Sequence, residues 1–212
     1  TVALLLFGTL GFFVLEFDNT MEGLNILEKL NCAFFQSTNT RTAGFASVDI
    51  ASQYEFTKVL SVLLMFIGAC PGSTGGGIKT TTFMVLAVTV ICTFRGKNES
   101  VVLRHRFSTP TVYKAFSLSM VAFLLVFIDA GVISSLNPEI LYIDCLYEAT
   151  SAFGTVGLSA SVTPYLDPIS KLILIFTMFI GRVGPLSFGL SILMRHKARG
   201  DSIYPEGRML IG

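Results

Sequence analysis

Long apolar runs alternate with shorter mixed segments along the chain. "TVALLLFGTLGFFVL" (1–15) opens it, and "VLSVLLMFIGA" (59–69) and "FMVLAVTVICTF" (83–94) flank a glycine-rich break. "AFSLSMVAFLLVFI" (115–128) lies mid-chain, and "LILIFTMFIGRVGPLSFGLSILM" (172–194) nears the end. A hydrocarbon core about 30 Å thick takes about 20 helical residues to cross. The last run spans with residues to spare, and the middle one does so with its flanks. The first is short because the chain starts inside it, and 59–94 reads as a crossing with a soft centre. Two further segments, "NILEKLNCAFFQST" (25–38) and "PEILYIDCLYEATSAF" (138–153), are too short and too polar to cross. They read as helices that dip in from one side and stop. Asn25 with Glu28 makes a capping arrangement, and Asn137–Pro138 puts proline at the first helical position.

Composition narrows the class. With 52% apolar and 14% charged residues the chain is too oily for an ordinary soluble domain. Charge then orients it. Arg95, Lys97, Arg104, Arg106 and Lys114 lie between the second and third crossings, and Arg195, Lys197, Arg199 and Arg208 follow the last. By the positive-inside rule both regions face the cytoplasm. The opposite side carries Glu16, Asp18, Glu22, Glu28, Asp129, Glu139, Asp144 and Asp167, an acidic outer vestibule that concentrates cations. Cys32, Cys70, Cys92 and Cys145 have no metal spacing and read as small buried fillers. Neither His105 nor His196 lies in a crossing, which argues against an intramembrane protease.

The chain repeats itself at an offset of 113 residues. "MFIG" at 65–68 recurs at 178–181, and in the same register Cys32 meets Cys145, Gly44 meets Gly157, Lys58 meets Lys171 and Gly76 meets Gly189. Glu16 meets Asp129, each expected at the outer end of its first helix. Each repeat reads as a spanning helix, a short re-entrant helix, a glycine-containing turn and a returning helix. Two crossings per repeat make the repeats parallel, unlike inverted-repeat transporters.

The short helices stop at "TRTAGF" (40–45) and "FGTVGL" (153–158). Non-helical backbone at membrane depth survives only where it is buried in protein or lines water. Thr155-Val156-Gly157 has the composition of a potassium selectivity filter, in which carbonyls replace the hydration shell of the ion, and Thr42-Ala43-Gly44 is its repeat partner. Phe45 and Leu158 follow each triplet. Two such elements are half of what a filter needs. "GACPGSTGGGIKTTT" (68–82) poses a separate question, since it looks like a phosphate loop. Counting from Gly72, the required glycine falls on Gly77, but Ile78 follows it and Lys79 comes one position late. Its flanks are helical and apolar, so the nucleotide reading is the weaker one.

At this point the sequence resembles the Trk/Ktr/HKT superfamily of potassium transporters, most closely the membrane subunit of the Ktr system. "NTRTAGF" (39–45), "PGSTGGGIKTTT" (71–82), "SAFGTVGLS" (151–159) and "GRVGPLS" (181–187) carry the resemblance, which covers the whole chain. It implies an all-α integral membrane fold in which two parallel helix–pore loop–helix repeats form half of a pseudo-fourfold, potassium-channel-like pore. The four repeats of the family lie in one polypeptide, so this chain is expected to be the third and fourth. Its N-terminal half is then the first partner, and the ending "YPEGRMLIG" places the missing part upstream. The expected organisation is a third repeat at 1–94, a cytoplasmic basic loop at 95–113, a fourth repeat at 114–194 and a cytoplasmic tail at 195–212.

The resemblance also implies roles. Backbone carbonyls of Thr42, Ala43, Gly44, Phe45, Thr155, Val156, Gly157 and Leu158 form the filter, with potassium held at the two threonine-to-glycine triplets. The loop bearing Gly72, Ser73, Thr74, Gly75, Gly76, Gly77 and Lys79 gates the pore from below, and Arg182 holds it closed. Glu148, or an acid in the absent half, is the alternative partner for Arg182, and Lys79 could instead snorkel to the interface. Arg41 is expected to point off the axis. The chain is expected to be no enzyme and to need no cofactor, with potassium transported and sodium influencing transport. Expected partners are the lipid bilayer, a second copy in a homodimer and a cytoplasmic ring of nucleotide-binding subunits, the basic loop being a candidate contact; no nucleic acid is expected. The location is the cell membrane, multi-pass. The rivals are a potassium channel proper and, more distantly, a membrane enzyme using the glycine loop for phosphate.

Overall fold

A computed structural model describes residues 1–96, 101–102 and 105–184. The basic tail, Gly189, the end of the last apolar run, and Lys97 and Arg104 of the basic loop lie outside the described residues. Among the described residues seven α-helices order as α1 (Val2–Leu15), α2 (Ile26–Asn39), α3 (Glu55–Phe66), α4 (Thr80–Phe94), α5 (Thr109–Leu136), α6 (Tyr142–Gly154) and α7 (Pro168–Val183). Between α4 and α5 a short antiparallel ribbon pairs β1 (Val101–Val102) with β2 (His105–Arg106). Only α5 is long and apolar enough among the described residues to cross a membrane by itself, and α1 and α4 are shorter apolar helices.

The repeat is visible as geometry. Helices α1, α2 and α3 correspond to α5, α6 and α7, and the turns after both short helices carry the same unusual backbone. Thr42 and Thr155 have φ of 70° and 51°, and Gly44 and Gly157 have φ of 73° and 89°. Helix α2 starts on the capping box that the sequence suggests: Asn25 accepts from the backbone, and its own N–H donates to Glu28 Oε2 at 2.9 Å. Helix α6 does not start at Pro138. The preceding helix α5 runs on to Leu136, Asn137 ends it, and α6 begins only at Tyr142.

That longer α5 also moves Asp129. It lies inside α5, two turns before its end, and accepts from Thr177 Oγ1 of α7 at 2.5 Å. Glu16 does stand at the end of α1, where its buried carboxylate accepts from Asn19 Nδ2 (2.7 Å), Thr20 Oγ1 (2.9 Å) and Tyr54 N (3.1 Å). It thereby ties α1 to the start of α3. In the second repeat Asn137 does this work, donating to Ser170 Oγ at 2.9 Å and accepting from Asp167 N at 3.1 Å. Glu16, fully engaged, therefore adds little to an acidic vestibule. Cys92 and Cys145 are buried, as fillers are, whereas Cys32 and Cys70 are only partly buried.

The two repeats meet where α3 packs on α6. Met65 of α3, Tyr147 of α6 and Val156 of the second turn share one buried cluster. At its edge Lys58 Nζ and Asp144 Oδ1 form a buried ion pair at 2.7 Å. Removing one partner of such a pair strands the other charge, at a cost of about 3–5 kcal/mol. Lys58→Met is therefore expected to lower the melting temperature of the complete protein in detergent, with Lys58→Met/Asp144→Leu recovering most of the loss. A single variant that melts with its parent would show that the pair is solvated.

Candidate pore loops and intramembrane loop

Each short helix ends where a polar side chain clamps the turn beyond it. In the first repeat Asn39 Oδ1 accepts from Phe45 N at 2.8 Å, so the segment 40–44 is held as a tight loop. In the second, Thr155 caps α6 in the left-handed region and Val156 N donates to Ser151 O at 2.9 Å. The chain beyond is fastened by Glu148, whose buried carboxylate accepts from Ser159 Oγ (2.5 Å), Ala160 N (3.1 Å) and Thr163 Oγ1 (2.9 Å). Glu148 is thus occupied with the loop at 159–163 and is not the partner of Arg182. Charge-assisted bonds of this kind are stronger than neutral ones, and they fix the turn.

The structure brings the two turns together. A β-carbon on Gly44 would stand 2.5 Å from the Val156 carbonyl oxygen and 3.6 Å from Gly157 Cα. Only glycine tolerates both that approach and a positive φ. Thr42-Ala43-Gly44 and Thr155-Val156-Gly157 therefore lie side by side, one face of each toward the other.

The glycine-rich loop interrupts the apolar run between α3 and α4 over residues 67–79, and its ends pair as Ile67 with Ile78. Its centre presses on both turns. Gly76 N donates to Thr155 Oγ1 at 3.0 Å, and a β-carbon on Gly76 would sit 2.8 Å from that same oxygen. One on Gly75 would come within 3.0 Å of Thr42 Oγ1. Small residues here let backbone approach both threonines at once.

The carbonyls of the broken helix need donors in place of the missing helical bonds, and two cations provide them. Lys79 Nζ folds back onto Gly75 O (2.5 Å) and Ser73 O (3.2 Å), so it does not extend to the interface. The Arg182 guanidinium of α7 donates to the Thr74 carbonyl. Ser73 supplies a local substitute for the broken helix, its hydroxyl donating to Cys70 O at 2.7 Å. Gly72 and Gly77 turn the loop with positive φ. Arg41 lies beside Thr42 with its guanidinium nitrogens buried and without a hydrogen-bond partner among the described residues.

The Asn39 clamp has no signal in the sequence, and Glu148 holds the loop at 159–163 where a pair with Arg182 is the expectation. A buried acid on a short helix, followed by a serine- and threonine-bearing stretch (151–163), is the signal that identifies Glu148. Among the described residues no cluster of metal-binding side chains forms. Lys79, Arg182 and the Ser73 hydroxyl donate to carbonyls of the loop, and Thr155 Oγ1 accepts from the Gly76 N–H, so the cations a phosphate would need are already engaged.

Two short helices end in paired left-handed turns, and the glycine-rich break between α3 and α4 packs on both, an all-helical arrangement of the kind found in membrane transport proteins. A family model described as a cation transport protein, TrkH, matches residues 3–199, and the chain belongs to that family of transporters, which are not enzymes. It is 40% identical over 202 residues to the Ktr system potassium uptake protein B of Bacillus subtilis, covering 94% of this chain and 45% of that protein. It is 37% identical to the Ktr system potassium uptake protein D of the same organism, covering 99% and 46%. The crystal structure of the potassium transporter TrkH from Vibrio parahaemolyticus superposes with a TM-score of 0.70 at 21% identity, over 91% of this chain and 42% of that one, which shows the shared fold. The chain spans about half the length of these relatives.

Proposed function

We propose that this chain forms half of a potassium uptake pore, with the threonine-to-glycine turns as half of its selectivity filter. Carbonyls of Thr42, Ala43, Gly44, Thr155, Val156 and Gly157 take the place of potassium's hydration shell, and Phe45 and Leu158 close the outer ends. Short helices whose negative C-terminal ends point to the turns favour a cation there. One observation carries the reading: two turns of matched backbone, side by side, with a single loop pressed on the inner threonine of each.

On this reading the loop at 70–79 is the gate, and Arg182 and Lys79 hold it in the shut position by bonding its carbonyls. Potassium moves down its electrochemical gradient, and sodium influences transport. The relatives named for the Ktr system support a Ktr-type assembly: two copies of the complete polypeptide on a cytoplasmic ring of nucleotide-binding subunits, with the basic loop 95–113 inside the cell and touching the ring. The protein sits in the cell membrane as a multi-pass chain. No cofactor has a role in this mechanism.

Uptake of potassium and sodium by the complete protein in potassium-uptake-deficient cells tests it, comparing Gly157→Ser with the parent. Gly157 has φ of 89° but only Gly44 Cα at 3.7 Å near its β-carbon position. The substitution therefore meets backbone strain of about 1–2 kcal/mol without a clash. The expected outcome is a several-fold fall in potassium uptake with weaker discrimination against sodium at unchanged expression. Identical uptake of both ions by the two proteins would remove Gly157 from the ion path.

A further inference from the structure

The glycine-rich loop, the second turn and α7 form a closed ring of contacts. Gly76 N donates to Thr155 Oγ1, and Arg182 of α7 donates to the Thr74 carbonyl of the same loop. The ring closes between α7 and the end of α6, two residues before Thr155. A β-carbon on Gly181 would overlap the Phe153 carbonyl oxygen, 2.8 Å from its carbon and 3.1 Å from Phe153 Cα. All three atoms are backbone and cannot swing aside. Gly181 lies inside α7 without a positive φ, at a position where alanine is the better helix former. Space, not backbone conformation, is therefore what glycine supplies here.

The end of α6 cannot retreat from this contact. On its other side a β-carbon on Gly154 would stand 2.9 Å from the Met65 carbonyl oxygen of α3, so the last turn of α6 is wedged between α3 and α7. Phe153 is fully buried, its ring lies 5.9 Å from that of Phe66, and it shares a cluster with Ile78 at the end of the loop. The repeat adds a parallel. Gly68 ends the first "MFIG" as Gly181 ends the second, and a β-carbon on Gly68 would overlap the Gly76 carbonyl oxygen. The same motif glycine thus seats the loop in one repeat and the second turn's helix in the other.

We infer that Gly181 is a positioning residue that couples gate to filter. Seated on Phe153, α7 cannot shift without carrying both Arg182 at the loop and the turn that follows α6. The inference rests on the reading of the loop as gate and of the turns as filter, and adds the link between them.

The test uses the full-length protein at matched expression. Native Cys70 reports the loop through its rate of reaction with a thiol reagent, read by mass spectrometry of its peptide. Sodium competition against rubidium uptake reports the turns. Gly181→Ala is expected to move both about threefold or more, with faster Cys70 modification and weaker discrimination against sodium. Gly131→Ala makes the same helix substitution on α5 in open space and should leave both at the parental value. Asp129→Leu frees α7 from α5 without a clash, since Thr177 keeps its bond to the Ile173 carbonyl. It should move both readouts in the same direction, and it decides the matter if Gly181→Ala fails to fold. A lower melting temperature with both readouts parental would make Gly181 a packing residue and overturn the inference. So would a change in only one readout, or an equal response to Gly131→Ala. Gly157→Ser and Arg182→Gln measured alongside keep the failures apart. If the first loses ion discrimination and the second exposes Cys70 while Gly181→Ala moves at most one readout, the coupling falls and the pore and gate stand. If neither responds, those readings fall and take the coupling with them.

Discussion

Replacing Gly44 with alanine in the complete protein is expected to reduce potassium uptake below about a tenth of the parental rate and to abolish discrimination against sodium. Two effects add at this position. The residue has φ of 73°, in a region where an L side chain costs about 1–2 kcal/mol. Its β-carbon would also stand 2.5 Å from the Val156 carbonyl oxygen, which is backbone and cannot swing away as a side chain would. Relief comes only by separating the two turns, and a carbonyl site depends on their spacing. Gly157 faces the strain without the clash, so the two glycines form an internal scale: Gly44→Ala should be more damaging than Gly157→Ala. Measuring rubidium uptake and sodium competition for both variants at matched expression checks this. The reverse order would mean that the turns are not packed as described.

Arg182→Gln is expected to act in the opposite direction, raising the maximal rate of potassium uptake by about tenfold if the loop is the gate. The guanidinium reaches 108 residues back along the chain to the Thr74 carbonyl. The loop is otherwise held by Lys79, which is local to it, and by neutral contacts: the Gly76–Thr155 bond, the Thr1 hydroxyl against the Cys70 thiol, and the backbone pairing of its ends. Removing the cation deletes a charge-assisted bond and a positive charge below the turns, and both changes favour an open, cation-permeable path. Lys79→Met added to Arg182→Gln should raise uptake further, because Ser73 and Gly75 carbonyls then lose their donor as well. The rate is read as uptake against external potassium, with cysteine at Ser73 reporting loop exposure through its reaction with a thiol reagent. A fall in uptake with unchanged thiol reactivity would make Arg182 a packing residue and would leave the loop without a latch.

The sequence by itself determined the membrane class, the duplication, the two turns and the broken helix. Each is recorded locally: apolar run length, a register shared over 113 residues, and glycines where the backbone turns left-handed. The capping box at Asn25 and Glu28 was legible for the same reason, being a contact between residues three apart. Other readings failed where local chemistry was ambiguous. Pro138 suits a helix start, but α5 keeps its apolar pattern to Leu136 and holds Asn137 at its own end, so α6 starts later. The tertiary structure alone decided which groups meet: Lys58 with Asp144, Glu148 with Ser159 and Thr163, Lys79 with the loop it follows, and Gly44 with Val156. Such partners depend on how helices pack in three dimensions. A lysine or glutamate in an oily segment announces that it needs a counter-group, but not which of several the fold will bring to it.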